Sequence, residues 1–344
     1  MPLGLIWAGL LLSAAAAAAP PATHFSPVVG ILAAPEFKPA PGQPKRSYVP
    51  SSYVKWLEAQ GARVVPLIHD APAAETASLL ERLNGLVFPG GAFPMEPAYL
   101  AFSRRVFETA VRDAIPTWGA CLGLLQFLLY TSGKPSPGPV TDGWDALGGP
   151  KPLLLPVNLT DAGKQWYAAS GAEPRLLKGV TEEPWAWHSH AFAVAEEEFQ
   201  ASPQLRRFWN VLAVARDRRG RAFVDAVEAK RLPIAGAMFH PEKWAYEFLP
   251  ERSRERSDLA RPTSSIEAMA NFGRCFVRKC RAFRGQRFTA EEVTRLSIHN
   301  WPEQFTAPGG SLFESQYFFP AASRPGAPPI LGAPTPLARF GSAA

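Results

Sequence analysis

Cysteine is scarce: Cys121, Cys275 and Cys280 are the only three in 344 residues. That is too few for a disulfide framework, and an odd count leaves at least one thiol free. Cys275 and Cys280 stand five apart in NFGRCFVRKCRAF, a helical pattern that turns them to different faces and would strain a bridge between them. Both read as buried, unreactive thiols. Long runs of one charge are missing as well. The net charge of +6 is spread over scattered Arg and Lys, and the densest stretch, ERSRERSD at 251–258, mixes acids with bases as a solvated face does. No zinc spacing, RNA-binding signature or basic helix accompanies it, so no nucleic-acid partner and no metal are expected; a positive field suits an anionic small substrate. Internal repeats are absent. The one apolar run that approaches a membrane span is residues 1–19, MPLGLIWAGLLLSAAAAAA, which reads as a secretory leader cleaved near the alanines, although it lacks a basic n-region. A membrane anchor is the competing reading; Gly and Ser interrupt the run, and polyalanine holds a span weakly.

What is present is enough for a full core, since 47% of the side chains are apolar. Short β-branched runs alternate with amphipathic ones: 28–32 (VVGIL) as strand, 51–60 (SSYVKWLEAQ) as helix closed by Gly61, 63–68 (RVVPLI) as strand, 74–83 as helix, 85–88 (GLVF) as strand before Pro89-Gly90-Gly91, 104–113 as helix, and 117–119 as strand into Cys121. This order predicts an α/β fold, a three-layer sandwich around a mainly parallel sheet. Residues 208–216, 222–227 and 234–239 read as strands on short polar connections, expected to extend the sheet as antiparallel edge strands, and 266–283 as a long helix. The expected layout is a leader over 1–20, one catalytic domain over 25–319, and a disordered Pro-, Gly- and Ala-rich tail over 320–344. The sequon Asn158-Leu159-Thr160 makes Asn158 a candidate glycosylation site in a surface loop.

The stretch PTWGACLG places Cys121 between Gly119 and Gly123, the G-x-C-x-G form of a nucleophile elbow. Without Cβ atoms the glycines let a strand turn sharply into a helix, here one beginning near Leu122, whose N-terminal N–H groups favour thiolate and can donate to an oxyanion. The motif alone leaves open a small buried cysteine at a strand end. A second element favours chemistry. In GAMFHPEK a strand ends in His240, Pro241 fixes the backbone and Glu242 follows, so a base and its orienting carboxylate stand two residues apart. Carboxyl ends of parallel strands share one edge, which brings Cys121 and His240 together.

PTWGACLG with GAMFHPEK resembles the Cys, His, Glu pattern of the class I glutamine amidotransferase-like superfamily, whose folds are flavodoxin-like. RSYVPSSYVKWLEAQGARVVPLI, NGLVFPGG, WNVLAVARD and HPEKWAYEF narrow the resemblance to its gamma-glutamyl hydrolase family, peptidase family C26, over about 28–319. The resemblance implies a lysosomal or secreted hydrolase of folate poly-gamma-glutamates that works through a thioester, as a homodimer and without a cofactor. It implies Cys121 as nucleophile, His240 as base and Glu242 as orienter, with the Gly91 and Leu122 amides as oxyanion hole. His188, in AWHSHAFAV, matches a histidine the family places beside the site, whereas His190 does not. Gly90 falls in the same glycine turn, and Arg46 is a candidate for the substrate carboxylates, against the competing reading of a solvated loop arginine.

Two positions depart from the family pattern. Leu125 stands where Glu or Gln is usual four residues after the nucleophile, and Gln126, a hundred degrees further round the helix, cannot substitute. Met238 replaces a Gln two before the histidine. Two other classes therefore stay open: a non-catalytic secreted relative that binds gamma-glutamyl compounds, and a glutaminase-type amidotransferase, against which the leader and the absence of a synthetase domain both speak.

Overall fold

The computed structural model describes residues 26–36, 46–91, 96–133, 153–190, 192–217, 219–248, 261–283, 288–307, 311 and 313–320. The expected leader, the charged stretch at 251–258 and the tail beyond Pro320 lie outside them.

Twelve strands are described: β1 Val28–Pro35, β2 Arg46–Pro50, β3 Arg63–Ile68, β4 Gly85–Phe88, β5 Thr117–Ala120, β6 Leu153–Leu155, β7 Ala186–His188, β8 Trp209–Arg216, β9 Ala222–Ala229, β10 Ile234–Ala237, β11 Glu303–Phe305 and β12 Ser315–Pro320. The helices are α1 Ser51–Glu58, α2 Ala73–Leu80, α3 Pro97–Asp113, α4 Leu122–Thr131, α5 Asp161–Ala168, α6 Pro174–Glu182, α7 Glu196–Ala201, α8 Pro203–Phe208, α9 Lys243–Tyr246, α10 Thr263–Ala282 and α11 Ala290–Leu296. The main sheet runs β11-β12-β2-β1-β4-β5-β10-β9-β8, with β3 also on β1, and β6 with β7 forms a separate ribbon. β3, β1, β4, β5 and β10 are mutually parallel in sequence of pairing. A connecting helix between parallel strands buries its apolar face on the sheet, which covers both faces.

The period of two in each strand divides the core. In β4, Val87 joins one apolar cluster with Trp56, Trp118, Trp166 and Phe272, while Leu86 and Phe88 join another with Phe107, Phe127 and Trp209. α1, α5, α6 and α10 contribute to the first cluster; α3, α4, α7 and α8 contribute to the second. The expected three layers are present.

The late strands require a correction. β10 is a parallel strand seated on β5, from Ile234↔Thr117 to Ala237↔Ala120, and only β9 and β8 are antiparallel. The sequence shows an apolar run with short turns in both cases and does not record that β10 inserts between β5 and β9. Strand residues also end at Ala237, which leaves Met238 and Phe239 as buried loop. Phe208 closes α8 and does not open β8. Gly236 allows the close pairing, since a Cβ there would lie 2.6 Å from the Gly119 carbonyl oxygen.

Candidate active site

The carboxyl ends of β4, β5 and β10 meet at one point. β4 delivers Gly90 and Gly91, β5 delivers Cys121, and β10 leads to His240. The Cys121 amide donates to the Ala237 carbonyl at 2.7 Å, which ties the turn after β5 to the end of β10. The His240 amide donates to the Trp187 carbonyl at 2.9 Å, which ties the HPE loop to β7.

Cys121 has φ 50 and ψ −106, a backbone state that non-glycine residues rarely adopt. The flanking glycines are required by space. A Cβ on Gly119 would stand 2.9 Å from the Gly123 carbonyl carbon, and one on Gly123 would stand 2.1 Å from the Phe88 carbonyl oxygen. The turn therefore closes only where both lack side chains, and α4 starts at once with Leu122. The first amides of a helix have no partner inside it, so Leu122 can offer an N–H at the foot of the thiol.

His240 and Glu242 are buried, and His240 Nδ1 donates to Glu242 Oε1 at 2.7 Å. A carboxylate accepts only, so a ring proton sits on Nδ1 and the other nitrogen is left for Cys121, whose sulfur favours the charged ring. Burial disfavours the imidazolium. The Glu242 carboxylate and the Cys121 sulfur outweigh it, and the His240 pKa is raised from 6.5 to about 9. Burial likewise opposes the Glu242 charge, yet the facing imidazolium holds its carboxyl below the ordinary value. The pair is a charged base–carboxylate couple.

Gly90 packs directly on this couple: a Cβ there would lie 2.7 Å from His240 Cε1 and 3.4 Å from Cys121 Cβ. Its amide donates to the Tyr53 hydroxyl at 2.8 Å. Gly91 lies over Leu122, with its own Cβ position 3.2 Å from Leu122 Cδ2, so the two expected oxyanion donors belong to adjacent residues of different loops. Tyr53 itself was not singled out from the sequence. It is fully buried on α1, 3.4 Å from His240 Nδ1, and burial followed by the Glu242 charge keeps its phenol protonated. Its signal, one aromatic in an amphipathic helix, is the signal of any core residue.

His188 is buried at the end of β7, with Nδ1 3.1 Å from His190 Nε2. Its ring is close enough to His240 for the two charges to interact. His190 was set aside in the sequence but shares this cluster. Arg46 opens β2, where its guanidinium is bidentate on Glu36 at 3.0 and 3.2 Å and lies 3.8 Å over the Phe318 ring. Its charge is already balanced, so a substrate carboxylate would have to displace Glu36. Asn158 is exposed in the turn before α5, and Thr160 caps that helix by accepting from the Gly163 amide.

The departures both belong to apolar packing. Gln126 is buried and donates to Ser103 Oγ at 2.9 Å, joining α4 to α3, while Leu125 and Met238 pack in the α3–α4 cluster. Cys275 and Cys280 are free and buried on α10, and burial pushes the Cys275 thiol up to about 11. Among the described residues, no group of three or more His, Cys, Asp and Glu side chains is set to hold a metal ion, and no helix is long and apolar enough to cross a membrane.

The family model for Peptidase C26 matches residues 27–133, a span that contains the Gly90-Gly91 turn and Cys121. Gamma-glutamyl hydrolase of Bos taurus is 27% identical over 308 residues, covering 88% of this chain and 92% of that protein. Gamma-glutamyl hydrolase 1 of Arabidopsis thaliana is 26% identical over 312 residues, covering 87% and 84%. Among solved structures, the glutaminase domain of Trypanosoma brucei CTPS with bound acivicin aligns at 16% identity and a TM-score of 0.44, over 72% of this chain and 93% of that one.

Proposed function

We propose that the chain is a hydrolase related to peptidase C26, and that it cleaves the gamma-glutamyl bonds of folate poly-gamma-glutamates with Cys121 as nucleophile. The observation that carries the reading is the strained Cys121 at the start of α4 beside a His240 that already bears the Nδ1–H···Glu242 bond.

In this mechanism the Cys121 thiolate attacks the gamma-carbonyl carbon, and the oxyanion is held by the Gly91 and Leu122 amides. The C–N bond breaks as His240 gives its proton to the departing amine, leaving a gamma-glutamyl thioester. Water then attacks the thioester while His240 takes a proton from it. The acid is released, the thiolate returns, and the proton on His240 restores the starting state. Each step uses groups of this chain and water, so no cofactor enters. Glu242 steadies the imidazolium, and Tyr53 holds the Gly90 amide in place beside it. Exposed Asn158 suits the glycan acceptor of a secretory protein, and the anionic folylpolyglutamate is the only partner the reaction itself requires; homodimers belong to the same reading.

Incubation of the purified chain with pteroyl-pentaglutamate tests the proposal, with product lengths followed over time. Wild-type protein is expected to shorten the chain, and Cys121→Ala to lower the rate by roughly 10³-fold or more. Cleavage that survives this substitution would remove the cysteine from the mechanism.

A further inference from the structure

We propose that His190 and the Phe192 carbonyl fix the tautomer of His188, so that His188 presents a bare Nε2 lone pair to an amide N–H of the bound gamma-glutamyl chain; the second half rests on the function proposed above. The first proton is fixed at the far end of the row. The Phe192 carbonyl can only accept, and His190 Nδ1 stands 2.9 Å from it, so His190 carries its proton on Nδ1. A neutral imidazole has one N–H, which makes His190 Nε2 an acceptor. His188 Nδ1, 3.1 Å away, must donate to it. That spends the only proton of His188 and leaves Nε2 as an acceptor.

Nothing in the described residues answers that acceptor: His188 is fully buried and Nε2 has no hydrogen-bond partner. A buried polar atom without a partner is uncommon in a folded protein and calls for a ligand or a cost. Both rings are held against rotation, His188 edge-on to Phe223 and Phe239 and His190 edge-on to Phe223. The row stays neutral. Burial first, and then the charges of His190 and His240, lower the His188 pKa well below its usual value; burial and His240 bring His190 to about 3. Asp225 is the nearest acid, 3.8 Å from His188 Nδ1 and beyond hydrogen-bond reach, and burial raises its pKa to about 8, so at neutral pH it holds its own proton and draws none onto the ring.

The placement gives the acceptor its use. Trp187, the residue before His188, holds the His240 amide, and the His188 ring is within electrostatic reach of His240, so His188 stands beside the base. Every link of a poly-gamma-glutamate carries an amide N–H and no other neutral donor, and a neutral acceptor binds it without attracting the cationic groups that a carboxylate would. His190 is in this account a positioning residue that acts through His188.

The experiment uses the full chain labelled with ¹⁵N-histidine, whose six histidines give a resolvable long-range ¹⁵N–¹H spectrum, with His188 assigned by its loss in His188→Asn. In wild type, His188 is expected to be protonated on Nδ1. His190→Gln, whose carboxamide oxygen replaces the Nε2 acceptor, should keep that state, and His190→Phe should move the proton to Nε2. With pteroyl-pentaglutamate, His190→Phe should raise KM about tenfold with a smaller change in kcat, and His190→Gln should recover most of it. A wild-type His188 protonated on Nε2, a proton that stays on Nδ1 in His190→Phe, or equal kinetics for two folded variants would overturn the proposal. The spectra read the tautomer without any substrate, so failure of the folate reading would be seen separately, as a wild type that leaves pteroyl-pentaglutamate intact while the protons sit as described.

Discussion

At the scale of single residues, the His240–Glu242 couple determines where the site works. Imidazole buried alone would lose its charge; the carboxylate 2.7 Å away reverses that and raises the His240 pKa to about 9. Two consequences share this origin and one sign. A group whose folded pKa lies above its unfolded value contributes stability in full below about pH 6.5, and the contribution is lost as pH rises through about 9. In the proposed mechanism the same protonated ring supplies the proton to the leaving amine, so the alkaline limb of kcat/KM should fall near that value. Glu242→Gln removes the counter-charge and is expected to lower kcat/KM by about 10²-fold and to move the alkaline limb toward the ordinary histidine range near 6.5. A pH–rate profile of both proteins checks this; an unmoved limb would mean that Glu242 does not set the charge of His240.

At the scale of elements, the site exists because α4 can approach β4 at contact distance. Gly123 lies against the Phe88 main chain, where a Cβ would come within 2.1 Å of a carbonyl oxygen and 2.8 Å of its carbon. Neither atom belongs to a flexible side chain, so the helix itself must shift. Gly123→Ala is expected to destabilise the fold by about 2 kcal/mol or more and to abolish cleavage, since the Leu122 amide and Cys121 move with the helix. Thermal melting together with activity at a temperature where the variant is folded checks it, and a fully active, equally stable variant would contradict the geometry. α1 has a quieter part. Its buried Tyr53 reaches the Gly90 amide from across the sheet edge, so a helix that reads as ordinary core also anchors the glycine turn.

At the scale of the whole molecule, sheet order is what assembles the site: β10 begins 114 positions after Ala120 yet lies between β5 and β9, pairing Ala237 with Ala120. The buried face behind the site carries a cost that pH exposes. Asp225 has no hydrogen-bond partner for either carboxyl oxygen, and burial raises its pKa from 3.8 to about 8. Between those two values the folded chain holds a proton that the unfolded chain has lost, so stability falls as pH rises across the window. Asp225→Asn removes this titration and should raise the melting temperature clearly at pH 8 and little near pH 4. Equal shifts at both would show that the carboxyl ionises freely in the fold.

Residue types and their spacing made the elbow, the HPE turn and the first three parallel strands readable, because each depends on local rules: glycine where a Cβ cannot fit, proline where a strand must stop, alternation where two faces are buried. The sequence was less informative about β2, β11 and β12, where short mixed segments gain stability only from pairing with one another, as Tyr317 on Val49 and Gln304 on Gln316. The buried polar row was hidden for the same reason. His188, His190 and Asp225 are separated in the chain by up to 37 positions, and nothing local says that β7 and β9 face each other. Arg46 gave a positive charge in the right region, and only the fold supplies the Glu36 carboxylate that occupies it. The sequence by itself determined which atoms could do chemistry, since the thiol, the imidazole and the carboxylate are fixed by residue identity and their backbone settings by neighbouring glycine and proline. Tertiary structure alone decided which of them are charged and which nitrogen holds a proton, because burial and facing partners, which set both, come from segments that the chain order keeps far apart.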